Sequence, residues 1–314
     1  MAALVAVAAV AAGAVASCAA PEPPPAPPAP PTPTAPPGPP PPPAPPASAA
    51  PVLVIKIDNA REGRPAVGLG AADVVFVEPV EGGSSRIAAV FASTFPPVVG
   101  PVRSARETDL RFLPQYGRPA FAFSGAAPPL LPRIAKAPVR NASAARAPGA
   151  YFRDGKRPSP HNMFVRPAKL PRGDVWSPAS QQKFGPTPPG GAPGGHQVVR
   201  YPAASVGFDW SAPQQRWLVS LDGRPAMSDN RRLVAGTVIV QKVPTRRSGI
   251  RDAAGHPSPV ADTVGTGHAL FLRDGQTFQA TWSRPAPEQG TTYTGPDGQP
   301  LTLAAGQVWT VLSP

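Results

Sequence analysis

Proline is concentrated near the amino terminus, and this limits which part of the chain can fold into a compact domain. Residues 21–51 hold 19 of the 51 prolines among 314 residues. Because proline has no backbone N–H, such a tract forms neither helix nor sheet ladders and favours extended polyproline II. No glycine recurs at every third residue, which excludes collagen, and the single cysteine excludes a disulfide scaffold. Any hydrophobic core must come from residues 52–314, which suffice for one large domain or two small ones.

The first 18 residues predict a lipoprotein signal. Residues 1–17 are almost wholly apolar and short for a membrane span, as is typical of a signal peptide. They end in Val15-Ala16-Ser17-Cys18, and two small residues directly before the chain's one cysteine resemble the lipobox of bacterial lipoproteins. The resemblance implies cleavage before Cys18, acylation of its thiol, and an address on the outer face of the cytoplasmic membrane. The alternative is a cysteine that is buried in the fold or is there without a function.

Hydrophobic patterning predicts an α+β fold in two parts. Strands are expected at 52–57, 73–78, 86–92 and 121–123, with helices at 105–115 and 129–136. After a Pro/Gly-rich segment the pattern is mainly antiparallel β, with strands at 197–201, 216–221, 237–243, 268–273, 277–282 and 307–312. The Asp-Gly pairs at 274–275 and 297–298 indicate tight turns. The expected organisation is a signal peptide at 1–17, a lipidated cysteine and Pro/Ala spacer at 18–51, an α/β domain at 52–184, a linker at 185–196, and a β-rich domain at 197–314.

Positive charge is confined to the part of the chain that should fold. Residues 52–314 contain all 30 Lys and Arg against 17 of the 18 acidic residues, which gives 30 − 17 = +13 there. A basic surface can bind nucleic acid, anionic lipid or an acidic polymer. Because no run of basic residues exceeds two, we expect no nucleic-acid partner. A GC-rich coding sequence is the alternative origin of the arginine excess.

Polar residues cluster where the predicted strands end. Arg103 and Arg106 lie three apart, so a helical first turn would place both on one face, where they could bind phosphate or carboxylate bidentately. Gly82 and Gly83 would let a ligand approach the backbone closely. The candidate ligand-binding residues are Asp58, Asn59, Arg64, Glu78, Glu81, Arg86, Arg103, Ser104, Arg106, His161 and Asn162.

A purely structural interpretation of this cluster stays open. Glu78 and Glu81 could pair with the arginines and only fix the loops, and His161 could be a general base, a metal ligand or a loop anchor. The sequence has no nucleophile-elbow, P-loop, dinucleotide or His/Cys metal motif, so it predicts no cofactor and no metal. A divalent cation held by Asp58, Glu78 and Glu81 is the weaker alternative.

Nine segments carry a family resemblance: Lys56-Ile-Asp-Asn59, Arg64-Pro65, Ala72-Asp73-Val-Val, Glu78-Pro-Val-Glu-Gly-Gly83, Arg86, Gly100-Pro-Val-Arg-Ser-Ala-Arg106, Pro160-His-Asn162, Thr281-Trp282 and Gly306-Gln-Val-Trp309. In this order they resemble the YerB-like bacterial lipoproteins. The resemblance covers nearly all of 52–314 and implies a two-part extracytoplasmic domain of unknown function. It indicates a fold and an address, not an activity.

A second resemblance is shorter and points to chemistry. Arg86-x4-Phe91-x-Ser93, Gly100-Pro-Val-Arg103 and Gly125 are similar in order to LytR-CpsA-Psr phosphotransferases. It implies an envelope enzyme that transfers or hydrolyses a phosphoryl or glycosyl bond. The sequence thus favours binding of an anionic or glycan envelope ligand, with such an enzyme, or a protein-binding scaffold, as alternatives.

The anchor yields a direct test. A diacylglyceryl group with an added acyl chain buries enough methylenes, at ~0.8 kcal/mol each, for stable membrane attachment. The Cys18→Ser chain should therefore lack the lipid and accumulate as an uncleaved precursor. Metabolic labelling with a radioactive fatty acid measures this, and label that persists in Cys18→Ser would contradict the lipoprotein interpretation.

Overall fold

The computed structural model describes residues 50–176, 183–252 and 255–314. The predicted signal peptide, Cys18 and nearly all of the Pro/Ala spacer lie outside these residues. All described residues belong to one compact unit. About 45% of them lie in strands and 12% in helical turns, so the fold is mostly β, and the α+β class holds only roughly.

The centre of the described fold is an eleven-stranded mixed sheet. Ten of its strands lie side by side in the order β10 (Ala192–Pro193), β22 (Gln276–Arg284), β21 (Gly265–Arg273), β18 (Thr237–Lys242), β24 (Val308–Ser313), β3 (Val74–Pro79), β4 (Ser85–Phe91), β2 (Leu53–Ile57), β5 (Ala120–Ala122) and β6 (Arg140–Asn141). The eleventh, β23 (Thr292–Thr294), pairs with β22. The parallel pairs are β18–β24, β24–β3, β2–β5 and β5–β6, and the other neighbours are antiparallel.

Smaller elements cover this sheet. A five-stranded sheet contains β11 (His196–Tyr201), β12 (Ala204–Ser211), β13 (Arg216–Leu221), β14 (Arg224–Pro225) and β17 (Val234–Ala235). Four two-stranded ribbons pair β1 (Ala50–Pro51) with β9 (Val175–Trp176), β7 (Tyr151–Arg153) with β8 (Met163–Val165), β15 (Met227–Ser228) with β16 (Arg231–Arg232), and β19 (Thr245–Arg251) with β20 (Pro257–Ala261). The helices are α1 (Asp109–Phe112) and α2 (Leu131–Lys136), with 3-10 turns at Arg61–Gly63, Leu69–Ala71, Glu81–Gly83, Leu113–Tyr116, Pro128–Leu130, Pro148–Ala150 and Pro167–Lys169.

Both faces of the central sheet are buried, which explains the unbroken apolar run of β2. Side chains alternate across a strand, so Leu53 and Ile55 pack in the core that contains the five-stranded sheet. Val54 packs on the opposite face, with α1, α2 and the β19–β20 ribbon. A strand covered on both faces reads as continuous hydrophobic sequence rather than as an alternation. Lys56 interrupts this run on the second face, fully buried.

The two halves of the chain contribute neighbouring strands to one sheet. β24, from the carboxyl terminus, lies between β18 of the second half and β3 of the first. Part of the expected linker is itself a strand, because β10 pairs with β22. The start of the linker is also hydrogen-bonded to the second half, since Gly185 N–H donates to Leu303 O at 3.1 Å. The division into domains at 52–184 and 197–314 stays a prediction. Strands of both halves lie in one sheet, and this does not favour separate folding of the two.

The first helix is shorter than the sequence predicts. Instead of 105–115, the α-helix covers only Asp109–Phe112 and passes into a 3-10 turn. Arg103 N–H donates to Lys56 O of β2 and Ala105 N–H to Gly125 O in the segment after β5, and these two hydrogen bonds hold this backbone extended. The expectation that Arg103 and Arg106 share a helical turn was therefore wrong. The Asp-Gly hairpin turn between β21 and β22 is confirmed, with φ of 52° at Asp274 and 72° at Gly275.

Replacing Trp309 tests whether the halves are coupled. Its side chain is fully buried in β24, and Trp→Ala in a core typically costs about 3–5 kcal/mol. We expect Trp309→Ala to lower the free energy of unfolding by that amount and to speed hydrogen exchange in both β3 and β18. Met227→Ala, at a half-exposed site on a ribbon, is the matched control and should cost under about 0.5 kcal/mol. Faster exchange in β18 alone would show that the halves are independent.

Candidate functional site

The sheet brings the predicted polar residues to one end. β2 and β4 are antiparallel, so the end of β2 lies beside the start of β4, and the β3–β4 turn lies at the same edge. Asp58 follows β2, Glu81 begins the turn, and Arg86 lies early in β4. The segment with Arg103 runs alongside, because its N–H donates to Lys56 O at 2.9 Å. Residues far apart in sequence thus meet where three strands begin or end.

Asp58 is the centre of the cluster. Its side chain is fully buried, 3.5 Å from Arg86 Nη1 and 3.6 Å from Arg103 Nε. His161 Nδ1 lies 2.6 Å from Oδ2, and Ala60 N–H donates to Oδ1 at 3.0 Å. Burial alone would raise the pKa of Asp58, but the Arg86 charge, the Ala60 and His161 hydrogen bonds and the Arg103 charge together lower it. Asp58 is therefore a carboxylate at neutral pH.

Arg86 and Arg103 keep most of their donors for other partners. Each guanidinium has five N–H groups. Among the described residues Arg86 donates one hydrogen bond, to Ser85 O, and Arg103 donates one, to Pro160 O. Both lie within ion-pair distance of the same carboxylate, Asp58, so two positive charges face one negative charge. Burial, together with the nearby arginines, lowers the pKa of Arg86.

Arg106 is fully engaged, in contrast. Its Nε and Nη2 donate bidentately to Glu81 at 2.8 to 2.9 Å, and its Nη1 donates to Ser104 O and Ala105 O at 3.2 Å. Ser258, from β20, also donates to Glu81. Burial alone would raise the pKa of Glu81, but the Arg106 and Ser258 contacts lower it. This pair corresponds to the structural interpretation of the cluster.

Glu78 lies beneath the cluster, in a buried triad with Lys56 and Asp109. The Lys56 ammonium contacts Glu78 Oε1 and lies 2.9 Å from Asp109 Oδ1, and all three side chains are fully buried. Burial, then the Asp109 charge, raises the pKa of Glu78 to about 7. Two carboxylates on one ammonium leave excess negative charge in the core, which favours a proton on Glu78. Asp109 was not predicted, although a lysine inside an apolar strand signals a buried counter-ion.

Three further candidates tie loops together. Asn59 Nδ2 donates to Ser85 Oγ at 2.8 Å, and Asn162 Oδ1 accepts from Arg153 at 2.6 Å. Arg64 donates to Asn59 O at 2.6 Å and pairs with Asp222 of the second half at 2.9 Å. None of these three residues lines the open cleft that lies over the cluster.

An open cleft of about 520 Å³ lies over the cluster. We call it the arginine cleft, and its lining includes Glu81, Arg86, Arg103, Ser104 and Arg106. Further polar residues of the lining are Glu107 and, from the second half, Arg251, Asp252 and Ser258, and local sequence gave no signal for these four. His161 is not part of the lining and reaches the cluster through Asp58. Gly83 faces the second half instead of a ligand, since a Cβ there would lie 2.6 Å from Pro202 Cβ.

Family models match most of the chain. The N-terminal domain of DUF3048, described as a protein of unknown function, matches residues 39–176, and the C-terminal domain of DUF3048 matches residues 197–310. The chain belongs to the DUF3048 family. The family's activity is not described by either model.

The relatives of this DUF3048 chain confirm the YerB-like resemblance. A Bacillus subtilis (strain 168) protein described as "Putative lipoprotein YerB" is 47% identical over 57 residues, which span 18% of this chain and 17% of that relative. The crystal structure of YerB from Bacillus subtilis has a TM-score of 0.70 at 19% identity, covering 85% of this chain and 92% of that one. At this identity the likeness shows the fold. In the described parts of the chain, no helix has the length and apolar character needed to cross a membrane.

The Arg106–Glu81 pair predicts a pH-dependent stability. Arg106→Gln removes the bidentate partner of a nearly buried carboxylate, so we expect a loss of ~3 kcal/mol, the low end for buried pairs because Arg106 keeps 17% exposure. A carboxyl whose pKa is lowered by folding stabilises the fold above its unfolded value, near 4.5, and loses this contribution as the pH falls through the folded value. The difference between wild type and Arg106→Gln should therefore be full at pH 7 and shrink in acid.

Urea unfolding from pH 3 to pH 8 measures this difference. The double variant Arg106→Gln/Glu81→Gln is the matched control, because it leaves no unpaired charge and should recover part of the loss. A difference that is independent of pH would contradict the ion-pair explanation.

Proposed function

We propose that this chain is a lipid-anchored protein of the bacterial cell envelope that binds an anionic group, a phosphate or carboxylate, of an envelope ligand in the arginine cleft. The observation that carries the proposal is the surplus of guanidinium donors. Arg86 and Arg103 share one carboxylate, and each donates one hydrogen bond within the described residues. An oxyanion placed between them would receive charge-assisted hydrogen bonds and offset the excess positive charge.

The surroundings support binding at this position. Arg106 and Glu81 neutralise one another and fix the wall of the cleft. His161 and the Ala60 N–H hold Asp58 in place, so that it orients the two arginines from below. Pre-organisation of this kind reduces the ordering cost of binding. A cleft of about 520 Å³ has the size of a small-molecule site.

Binding is better supported than the two alternatives. An enzyme needs an acid or base that converges on the bound group, and His161 faces Asp58 from outside the cleft lining. Ser93 of the phosphotransferase-like pattern donates to Asp73 instead of meeting the arginines. A scaffold would present an apolar patch on the second half. Among the described residues, Met227 is the large apolar side chain there that is over a third exposed.

Anchorage is the second part of the proposal. It rests on the apolar leader that ends in Ala16-Ser17-Cys18, and on the description of YerB as a lipoprotein. The Pro/Ala spacer would then separate the arginine cleft from the bilayer surface. The ligand would be a component of the envelope outside the cytoplasmic membrane.

Arg103 offers the cleanest test of the cleft. Loss of one charge-assisted hydrogen bond is worth ~1.5–3 kcal/mol, so Arg103→Gln should weaken pyrophosphate binding by about ten- to a hundredfold. Stability should change by under about 1 kcal/mol, because Asp58 keeps Arg86 and His161. Titration calorimetry at low ionic strength measures the affinity, and thermal unfolding measures the stability.

Arg200→Gln is the matched control, since Arg200 is exposed on β11 and does not line the arginine cleft. Equal affinity of Arg103→Gln and Arg200→Gln for pyrophosphate would remove the arginine cleft as the binding site.

A further inference from the structure

A second cleft, of about 600 Å³, lies away from the arginine cleft and shares no lining residue with it. Its walls are the 3-10 turn Leu69–Ala71 of the first half, the β15–β16 ribbon, β17, and the loop before β24. Gln307 of that loop donates to Leu69 O at 3.0 Å and to Ala72 O at 2.8 Å, so the walls are joined to one another. This site was not predicted from the sequence, because its walls come from segments as distant in the chain as Gly70 and Gln307.

Three arginines line this cleft: Arg216, Arg231 and Arg232. Within the described residues none of them lies within 4.0 Å of a carboxylate oxygen. The acidic side chain in the lining is Asp229, and it is already engaged. Its carboxylate accepts from Gly68 N–H at 2.9 Å and from Ser228 Oγ at 2.8 Å, which ties the ribbon to the first half.

The guanidinium groups also have few neutral partners. In the described part of the chain, Arg232 donates one hydrogen bond, from Nη2 to Ser220 Oγ at 3.2 Å, and its buried Nε has no partner. Arg216 donates from Nη1 to Gln215 O at 2.6 Å. Both side chains are partly removed from water, and burial lowers the pKa of Arg216 although the more distant Asp274 charge raises it. A partly desolvated cation with no carboxylate within ion-pair distance is unfavourable, and a bound anion would relieve the cost.

We propose that this second cleft binds an anion, a phosphate or carboxylate group, between Arg216 and Arg232, with Arg231 at the rim. The proposal is independent of the arginine cleft, because the two clefts share no lining residue. It assigns two anion sites to one chain. A ligand with repeated acidic groups is the class that could use both.

The test is the number of pyrophosphate ions bound per full chain, measured by titration calorimetry and equilibrium dialysis at low ionic strength. We expect two for the wild type. Arg216→Gln/Arg232→Gln should weaken binding of one ion by at least about tenfold and leave the affinity for the other unchanged. Arg103→Gln should weaken binding of that other ion instead. Arg200→Gln should retain both.

A second measurement needs no variant at this site. Pyrophosphate should shift the backbone amide NMR signals of Gly70 and Gly236, which line the second cleft, in wild type and in Arg103→Gln alike. One ion per chain, with these signals unmoved, would overturn the second site and leave the arginine cleft standing. Two ions per chain of which neither responds to Arg103→Gln would instead contradict the proposed function.

Discussion

The fold depends on a charged side chain that is buried in a strand of the central sheet, which is covered on both faces. Lys56 has no contact with water, so its ammonium requires negative partners within the core. Glu78 of β3 and Asp109 of α1 supply them, and this ties the centre of the sheet to the short helix above it. Asp109 Oδ2 in turn accepts from Arg106 N–H at 2.6 Å. The buried triad therefore fixes the backbone from which the arginine cleft is built.

The arginines above the triad are of two kinds, which differ in how many of their N–H donors are hydrogen-bonded within the described residues. The N–H groups of Arg106 donate hydrogen bonds within the protein, to Glu81 and to nearby carbonyl oxygens. Arg86 and Arg103 lie at longer distance from a shared carboxylate and keep donors uncommitted within the described residues. Sequence spacing suggested a different division, with Arg103 and Arg106 acting together. The difference arises because the segment is extended, and residues three apart in an extended chain do not share a face.

Much of the sheet could be predicted from local sequence. β2, β3, β4 and β24 are apolar runs with β-branched residues, β5 is a short apolar run, and the positions of all five were predicted to within one residue at each end. β12 was missed because Gly207 and Asp209 interrupt its pattern, and β19 because it is rich in exposed arginine. The motifs also located five residues that line the arginine cleft, namely Glu81, Arg86, Arg103, Ser104 and Arg106. Neither its completion by Ser258 nor the second cleft could be predicted, because both depend on contacts between distant segments.

Both clefts lie where the first half of the chain meets the second. Arg251 and Ser258 enter the arginine cleft from the β19–β20 ribbon, and Gly70 and Ala71 of the first half enter the second cleft. β24 is hydrogen-bonded to β3 of the first half and to β18 of the second, so it fixes the position of these walls relative to one another. A change in the packing of the halves would therefore alter both clefts at once. The shared sheet thus keeps each set of arginines in a fixed position, and the two matched regions of the family contribute strands to one folded unit.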